Sequence, residues 1–382
     1  MRQSGPRRLA ILVASAGLAA AAALAAGTAR TEESWDGVAR VLAVGDVHGD
    51  YDQFLAVLQA GGVVDRRGRW NGGRTHLVQT GDRIDRGPDS RKVMDLMMRL
   101  EREARKAGGM VHPLTGNHEA MNVLGDLRYV IPEEFAAFKT PDSARLRDAL
   151  WERIREMRKP DESALGDEDR RRFEAAHPLG WVEHRQAFSP SGTYGGWIAR
   201  QNAVIRIGDT LFLHGGISPK YADFPLLDLD ERVRRELAEA DPQTALVSTD
   251  PEGPLWFRGL AEGDPALASH LDAVLRRHGA RRMVIGHTPT EGLVMPLYGG
   301  RVVAIDVGLS KVYGGPPAAL LLEDGRAIAI HRGRRIPLPE AEGEPLLRYV
   351  REVIALEPDP ARLRALLGRL EAAVSATLPP SR

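Results

Sequence analysis

Short apolar runs that each end in a polar loop recur through the first third of the chain. They are VARVLAVGDVHG (38–49), THLVQTGDRIDRG (75–87) and GMVHPLTGNHE (109–119). Each run has the length and the aliphatic composition of a buried strand, and each ends in a loop that contains Gly together with Asp, His or Asn. Because it occurs three times, this pattern constrains the fold more than any other feature of the sequence.

Two helical patterns separate these strands. The first, YDQFLAVLQAGG, stops at Gly61, and the second begins at Pro88 and Asp89. The second pattern carries one apolar stripe, which consists of Val93, Leu96, Met97 and Leu100. Strands that alternate with helices form βαβ units, so the sequence predicts an α/β fold with a parallel sheet at its core.

The chain changes character beyond this region. From about 120 to 200 it is helical and rich in charge, which predicts an inserted helical cap. The aromatic side chains of the cap are expected either to form its core or to line a substrate groove; they are Trp151, Trp181, Tyr194 and Trp197. Strands return at 203–216 (a hairpin over Gly208 and Asp209), 281–288, 301–308 and 318–330. These strands predict a second, mostly antiparallel sheet.

The last segment, residues 334–382, is predicted to be a helical tail that follows a domain of residues 38–333. Leucine and valine side chains in this tail fall on one face of a helix, and that face is expected to pack on the body of the protein. They are Leu363, Leu366, Leu367, Leu370 and Val374.

The N-terminus has the pattern of a secretory signal. Arg2, Arg7 and Arg8 precede an apolar stretch from 9 to 26, and small residues follow it. Residues 1–29 are therefore predicted to be a signal peptide, with twin-arginine export as one variant and an uncleaved membrane anchor as the alternative. The expected location is periplasmic or secreted, or else membrane-anchored and facing the periplasm.

Composition excludes several classes of function. The chain has 52 basic and 52 acidic residues, so no net field attracts nucleic acid, and an anion site must be local. The 382 residues contain no cysteine, which excludes disulfides, thiolate zinc sites and cysteine-dependent phosphatase chemistry.

Polar residues that follow the predicted strands form the candidate site. They are Asp46, His48, Asp82, Asn117, His118, His214 and His287. Loops at the carboxyl ends of sheet strands converge on one crevice in α/β proteins, so these side chains are expected to meet. Carboxylate, amide and imidazole groups suit borderline divalent metals, and an aspartate such as Asp82 can bridge two of them. Two metals would leave the centre positively charged and attractive to a phosphate dianion.

Two arginines are candidates for binding that phosphate. Arg86 lies four residues after Asp82, and Arg258 follows Trp256 and Phe257, which can fix its direction. The other histidines are interpreted as structural; they are His76, His112, His177, His184, His270, His278 and His331.

A rival phosphatase motif is present in DLDERV (228–233), which resembles the nucleophile motif of haloacid-dehalogenase-like phosphatases. Its fifth position is Arg232, and the following residues form a helical pattern. We therefore expect Asp230 to cap a helix instead of acting as a nucleophile.

The ordered motifs GDVHG, GDRIDRG, GNHE, HGG and GHT resemble those of the calcineurin-like metallophosphoesterases, specifically the phosphoprotein phosphatase (PPP) branch. The longer GNHEAMNVLGDLRY is similar to the Shewanella-like phosphatases within it. The resemblance covers about residues 38–310. It implies a mixed β-sandwich flanked by helices, with the helical insertion as an addition, and a centre of two divalent metal ions.

The resemblance also implies a role for each residue. Asp46, His48 and Asp82 would hold the first metal, and the second would be held by Asp82, Asn117, His214 and His287. The ions would be manganese, iron or zinc, with manganese expected in vitro. His118 would protonate the leaving oxygen while Asp85 orients its ring, and Arg86 and Arg258 would bind the phosphate. Glu119 is expected to face away and hold the loop.

The expected function is that of a dinuclear-metal phosphomonoesterase in which a metal-bridging hydroxide attacks phosphorus directly. The substrate would be a phosphoprotein carrying phosphoserine, phosphothreonine or phosphotyrosine. The alternatives are a hydrolase of dinucleoside polyphosphates or other small phosphoesters, and a metal- and phosphate-binding protein without turnover. The tyrosine-containing segment of the eukaryotic relatives has no clear counterpart in IDVGLSKVYGG, so substrate choice cannot be transferred from them.

Overall fold

The structure is a computed structural model that describes residues 33–157 and 165–377. The predicted signal peptide or anchor at residues 1–29 lies outside these ranges and stays a prediction. None of the helices within the described ranges is both long and apolar enough to cross a membrane.

Strands and helices alternate from β2 to β4, and longer runs of helices and of strands follow. The strands are β1 (Ser34–Trp35), β2 (Arg40–Val44), β3 (His76–Gln79), β4 (Met110–Pro113), β5 (Val204–Ile207), β6 (Thr210–Leu213), β7 (Arg282–Ile285), β8 (Met295–Leu297), β9 (Val302–Ala304), β10 (Ala318–Glu323), β11 (Arg326–His331) and β12 (Arg334–Pro337). The helices are α1 (Tyr51–Ala60), α2 (Ser90–Lys106), α3 (Asn117–Leu124), α4 (Pro132–Ala136), α5 (Ser143–Glu156), α6 (Asp167–Ala176), α7 (Trp181–Ala187), α8 (Gly195–Ile198), α9 (Leu226–Glu239), α10 (Ala268–Arg277), α11 (Glu344–Ile354) and α12 (Ala361–Thr377).

The first sheet has the order β12-β11-β10-β2-β3-β4. Strands β2, β3 and β4 pair in parallel, and α1 and α2 form the crossovers between them, as the sequence predicts. Asp50 caps α1 by accepting a hydrogen bond from the backbone N–H of Gln53. The predicted apolar stripe of α2 is buried, so the helix covers the sheet with the face that its periodicity indicates.

The second sheet has the order β1-β5-β6-β7-β9-β8. Its β5–β6 hairpin is antiparallel and turns over Gly208 and Asp209, as expected. The expectation of a mostly antiparallel sheet is wrong, because β6, β7 and β9 pair in parallel. Moreover, β10, β11 and β12 join the first sheet through an antiparallel pair between β10 and β2. Local patterns reveal strands, whereas long-range packing decides which strands pair.

One continuous core of buried side chains includes residues from both sheets, among them Leu42 and Leu77 of the first and Phe212 and Val284 of the second. Helices flank the sheets, and six of the described helices lie between β4 and β5 in chain order. The predicted fold class, a mixed β-sandwich flanked by helices with a helical insertion, is confirmed.

The aromatic residues of the inserted region pack inward. Trp151 of α5 lies 5.1 Å, between ring centroids, from Phe173 of α6. Tyr194 and Trp197 are buried, and they donate hydrogen bonds to Asp95 and Glu101 of α2. Trp181 is half-buried, with its ring 4.6 Å from that of His177. These contacts favour the core interpretation over a substrate groove.

The region predicted as a helical tail begins with a strand. Residues 334–337 form β12, which pairs antiparallel with β11, so a boundary at residue 333 separates two hydrogen-bonded strands. Helices α11 and α12 follow. Leu363 is buried, and Leu366, Leu367 and Leu370 pack against the core, which agrees with the expected apolar face.

Candidate active site

The loops after β2 and β3 are hydrogen-bonded to each other through their backbones. Val47 and His48 donate to the carbonyl of Asp82 at 2.9 and 3.0 Å, and Gly49 donates to the carbonyl of Arg83 at 2.9 Å. His48 and Asp82 have positive φ angles of 44° and 55°, which non-glycine residues rarely adopt. The two loops therefore fix each other in a conformation that aims both side chains at one place.

Glycine at position 81 permits the loops to approach closely. Its φ is 107°, and an added Cβ would lie 2.6 Å from the backbone of Gly116 and 2.8 Å from Nδ1 of His214. A side chain here would push the motifs apart, which explains in physical terms why Gly precedes Asp82.

Asp82 lies at the centre of the cluster. Its Oδ2 is 3.3 Å from Nε2 of His214 and 3.8 Å from Nε2 of both His48 and His118. Burial alone would raise the pKa of Asp82, but the rings of His214, His118 and His48 outweigh it and hold that pKa well below its usual range. Three imidazole rings thus surround this one carboxylate.

His48 presents a free nitrogen to this centre. Its Nδ1 donates to the carbonyl of Ile84 at 3.1 Å, so the lone pair is on Nε2, which is 3.9 Å from Oδ2 of Asp46. Burial lowers the pKa of His48 to about 3, and the ring is therefore neutral, as a metal ligand must be. Asp46 is held by the backbone N–H of His287, which donates to its Oδ1 at 3.1 Å.

His214 and Asn117 face each other with two lone-pair atoms. Nδ1 of His214 donates to the carbonyl of Thr80 at 2.9 Å, so its Nε2 carries a lone pair, and this atom lies 2.9 Å from Oδ1 of Asn117. Nε2 of His287 is buried and has no hydrogen-bond partner among the described residues. Two facing acceptors and one orphaned imidazole nitrogen are the surroundings that a cation satisfies.

The donor set fits two divalent ions. Two groups of potential ligand atoms stand out in the described part of the chain, each within 4.8 Å: His48, Asp82 and His118, and Asp82, His214 and His287. Asp82 belongs to both groups and can bridge. All six predicted ligands lie in one buried cluster. The first group contains His118 and lacks Asp46, whose Oδ2 lies 3.9 Å from Nε2 of His48.

His118 is paired with Asp85. Its Nδ1 donates to Oδ2 of Asp85 at 2.6 Å, and its backbone N–H donates to Oδ1 of Asp82 at 3.0 Å. Burial would lower the pKa of His118, but the charge of Asp82 and the bond to Asp85 outweigh it and raise that pKa. The pairing of this ring with Asp85 is the geometry that the resemblance implies.

Asn122 is a site residue that the sequence analysis missed. Its Nδ2 donates to both carboxylate oxygens of Asp85, at 2.9 and 3.1 Å, and to the carbonyl of His118. The signal was available, because Asn122 lies four residues after His118 on α3 and therefore shares its helical face.

Glu119 faces away from the cluster, as expected. Its carboxylate accepts hydrogen bonds from the backbone N–H groups of Asp82, Arg83 and Gly116, each at 2.8 Å. The buried guanidinium of Arg83 lies 3.4 Å from the same carboxylate and balances its charge. Glu119 thus connects the loop after β3 to the start of α3.

The two candidate phosphate-binding arginines lie beside the cluster. The guanidinium of Arg86 lies over the Tyr129 ring at 4.4 Å and 5.4 Å from the Tyr313 ring, and its buried Nε lacks a partner in the described ranges. Arg258 donates to the carbonyl of His287 at 2.8 Å and to Oγ1 of Thr288 at 3.1 Å. Both guanidinium groups are held in place next to the cluster.

The segment IDVGLSKVYGG contributes two residues that the sequence did not reveal. Tyr313 lies with its ring 5.4 Å from that of His48. Asp306 is buried, and its Oδ1 accepts a hydrogen bond from the backbone of Gly308. Burial raises the pKa of Asp306 to about 6, and the pKa of Asp46 is raised by burial and then by the charge of Asp306. This segment therefore borders the site.

The remaining candidates lie elsewhere. The seven histidines interpreted as structural are outside both ligand groups; His331, for example, contacts the hydroxyl of Tyr349. Asp230 lies inside α9, whose N-cap is Pro225, so the expected capping role is wrong. Its buried Oδ1 instead accepts from the backbone N–H groups of Ala203 and Val204, which anchors α9 to the start of β5. This is a structural aspartate.

Comparisons with known proteins agree with this site. The family model of the calcineurin-like phosphoesterases matches residues 39–291. An uncharacterised protein of Schizosaccharomyces pombe, C1840.07c, is 31% identical, over 78% of this chain and 82% of that protein. Shewanella-like protein phosphatase 2 of Arabidopsis thaliana is 28% identical, over 71% and 72%.

A solved structure is similar as well. The cold-active protein-tyrosine phosphatase of a psychrophilic Shewanella species has a TM-score of 0.62 and 29% identity, with 81% of this chain and 82% of that chain covered. The chain therefore belongs to the calcineurin-like phosphoesterase family and is a metallophosphatase of its Shewanella-like branch.

Proposed function

We propose that this protein is a dinuclear-metal phosphomonoesterase that acts on phosphorylated side chains of proteins. One observation carries the proposal. His118 is held by Asp85 through Nδ1 while its Nε2 lies 3.8 Å from Oδ2 of Asp82, the carboxylate common to both ligand groups. A proton donor thus stands beside the metal centre, where a phosphoester would bind.

The metal ligands in this proposal are those of the sequence analysis: Asp46, His48, Asp82, Asn117, His214 and His287. Two divalent ions bound there supply an activated water and positive charge for the phosphoryl transition state. The chain itself holds the ligands in place through backbone contacts, such as the bond from His287 to Asp46. The ligands would be poised before a metal binds.

His118 supplies the proton for the leaving oxygen. Because Asp85 accepts the hydrogen of Nδ1, the other ring nitrogen is the one that faces the substrate. Asp82 and Asp85 raise the pKa of His118 against the effect of burial, which favours the protonated ring that a proton donor needs. Donation from Nε2 leaves a neutral imidazole that Asp85, itself held by Asn122, still orients.

Arg86 and Arg258 bind the phosphate. Arg86 is held between two tyrosine rings, so its planar fork keeps one orientation and can form paired hydrogen bonds with phosphate oxygens. Arg258 is fixed to the carbonyl of His287 and adds positive charge beside the second ligand group.

Phosphotyrosine is the first substrate to test, because a solved relative bears the name protein-tyrosine phosphatase. Phosphoserine and phosphothreonine remain within the proposal, and the curated relatives bear the name protein phosphatase without naming a side chain. Dinucleoside polyphosphates and other small phosphoesters are the alternative substrates. No nucleic acid is expected as a partner, since the net charge of the chain is zero.

We also infer that manganese supports activity in vitro, with iron and zinc as the other candidate metals, because imidazole and carboxylate ligands suit such ions. The PPP assignment and a periplasmic or secreted location rest on the motifs and on the N-terminal sequence pattern. A membrane would be a partner only if residues 1–29 stayed attached.

The test is a substrate panel. Purified protein with added manganese is given a phosphotyrosine peptide, a phosphoserine peptide, p-nitrophenyl phosphate and a dinucleoside tetraphosphate. Phosphate release is measured for the first three substrates and mononucleotide products for the fourth, each with and without a chelator. We expect metal-dependent release from the phosphopeptides, fastest from phosphotyrosine, and none after chelation. Hydrolysis of the dinucleoside tetraphosphate alone would replace the proposal with the small-molecule alternative.

A further inference from the structure

The segment that joins α3 to α4, residues 125–131, and the first residues of α4 lie against the loop that carries Asp85 and Arg86. The carbonyl of Tyr129 accepts a hydrogen bond from the backbone N–H of Arg86 at 3.1 Å. Oε1 of Glu134, in α4, accepts from the backbone N–H of Asp85, also at 3.1 Å. The inserted region thus holds two consecutive backbone N–H groups of the loop that carries Asp85 and Arg86, which we call the catalytic loop.

The loop needs such support because its backbone is unusual. Asp85 and Arg86 have φ angles of 67° and 69° in succession, a conformation that costs non-glycine residues free energy and persists only where surrounding contacts enforce it. Ser90 provides one further contact, since its Oγ lies 3.1 Å from the backbone nitrogen of Asp85.

Glu134 does more than cap its own helix. Its Oε2 accepts from the backbone N–H of Ile131 at 3.0 Å, which completes a capping interaction that an exposed glutamate could make equally well. Glu134 is nevertheless only 2% exposed. Its Oε1 accepts hydrogen bonds from the backbone N–H of Asp85 and from the hydroxyl of Ser90. Burial of a carboxyl group is costly unless its contacts compensate.

Electrostatics agree with this role. Burial, and then the charge of Asp85, raises the pKa of Glu134 to about 8. The side chain therefore accepts its hydrogen bonds near neutral pH without placing a second full negative charge beside Asp85. A glutamine would have the same shape and no charge. Its amide oxygen can keep the bond from Asp85, and its amide nitrogen, which cannot accept, gives up only the capping bond from Ile131.

We propose that Glu134 is a positioning residue for proton donation: it fixes the backbone of Asp85 so that the Asp85 carboxylate orients His118. The inference rests on the proposed function of His118 as the proton donor. It gives a residue of the inserted region, which lies outside all of the strand-end motifs, a role in catalysis.

The test compares Glu134→Ala and Glu134→Gln with the matched control Glu133→Gln, which changes the adjacent, exposed glutamate of the same helix. Turnover is measured on p-nitrophenyl phosphate, whose leaving group needs little protonation, and on a phosphoserine peptide, whose alkoxide leaving group needs a proton. Bound metal is measured in every sample.

We expect Glu134→Ala to lose roughly 10- to 100-fold in kcat on phosphoserine and a much smaller factor on p-nitrophenyl phosphate, with KM and bound metal unchanged. Glu134→Gln should recover most of the loss, and the control should equal the wild type. Equal losses on both substrates, or losses that follow metal content, would overturn the inference, as would full activity of the alanine variant.

A second measurement does not need turnover. The hydrogen-bonded Nδ1–H proton of His118 is recorded by NMR in protein labelled at histidine and is identified by its absence in His118→Asn. We expect this signal to weaken or shift in Glu134→Ala and to be unchanged in Glu133→Gln. An unchanged signal in the alanine variant contradicts the positioning role, whereas a wild type inactive on every phosphoester contradicts the proposed function.

Discussion

The metal-ligand cluster and the outer part of the helical insertion are built in opposite ways. In the cluster, buried side chains such as Asp82 and His214 lie within a few ångströms of each other, and backbone hydrogen bonds connect their loops. On the surface of α6, Glu168 pairs with Arg171 and Arg172, and all three side chains are more than half exposed. Charge is thus concentrated and desolvated in one region and dispersed in water in the other.

The difference shows where function can be altered. Interactions in a buried, low-dielectric site are strong, and they leave a large penalty when one partner is removed, whereas exposed ion pairs are screened. The inner edge of the insertion reaches the catalytic loop, for example through Tyr129 and Glu134. Substitutions should therefore have effects that decline from the cluster to the inner edge and then to the outer helices.

The largest effect is expected for Asp82→Asn. The substitution removes the carboxylate that both ligand groups share. Replacing a residue that only hydrogen-bonds to a ligand lowers metal affinity by up to about 100-fold, so loss of Asp82 should lower it by more than that and abolish activity. Bound metal is measured by elemental analysis. Asp324→Asn, at an exposed turn, is the control, and normal metal content in the Asp82 variant would contradict the assignment.

His118→Asn should separate chemistry from metal binding. Loss of the proton donor is expected to lower kcat by about 100- to 10,000-fold, with the larger factor on alkyl phosphates, while the metals stay bound. Steady-state kinetics and metal analysis on the same preparation check this. Full turnover in the variant would exclude His118 as the donor.

Asp230 tests burial of a carboxylate outside the cluster. Burial raises the pKa of Asp230 to about 7. The folded protein is therefore most stable when Asp230 is protonated, and its free energy of unfolding falls as the pH rises from about 4 to about 7. Asp230→Asn keeps an acceptor and does not titrate. From pH 5 to pH 8, the variant should gain on the order of 2–4 kcal/mol relative to the wild type in urea denaturation. A difference that does not depend on pH would contradict this.

Arg86→Lys should have an intermediate effect on catalysis. Lysine keeps the charge but loses the planar fork and the stacking on Tyr129, so we expect kcat/KM to fall by roughly 10- to 100-fold without loss of metal. Arg91→Lys, on the exposed surface of α2, is the matched control. A lysine variant with unchanged kcat/KM would show that Arg86 does not use its fork.

The smallest effect is expected for Arg172→Gln in the outer insertion. This side chain is 74% exposed, and its partner Glu168 would still form an ion pair with Arg171. The free energy of unfolding should therefore change by less than about 1 kcal/mol. Turnover should be unchanged on every substrate. A clear loss of activity would mean that the outer helices take part in catalysis and that the contrast between the two regions is incomplete.

Much of the first sheet could be predicted from sequence because its signals are local. Apolar runs of strand length, the stripe of α2 and the Gly-Asp turn of the β5–β6 hairpin each depend on neighbouring residues. The convergence of the candidate ligands was predictable for a related reason, since the ends of strands converge in α/β folds.

Features that depend on distant contacts could not be predicted. The pairing of β10 with β2 joins residues about 280 positions apart in sequence, and no local pattern encodes it. Glu134 and Tyr313 look like ordinary residues of a helix and a loop until the fold brings them to Asp85 and His48. Asp230 was misread because its sequence resembles a helix start, although tertiary packing buries it inside α9.

The most direct test of the two-metal account is a metal titration. Protein stripped by a chelator is given increasing manganese, and phosphate release from a phosphotyrosine peptide is measured beside the number of ions bound per chain. The account predicts no release from the stripped protein and full turnover only when two ions are bound. Turnover by the stripped protein, or full turnover with one ion, would contradict it.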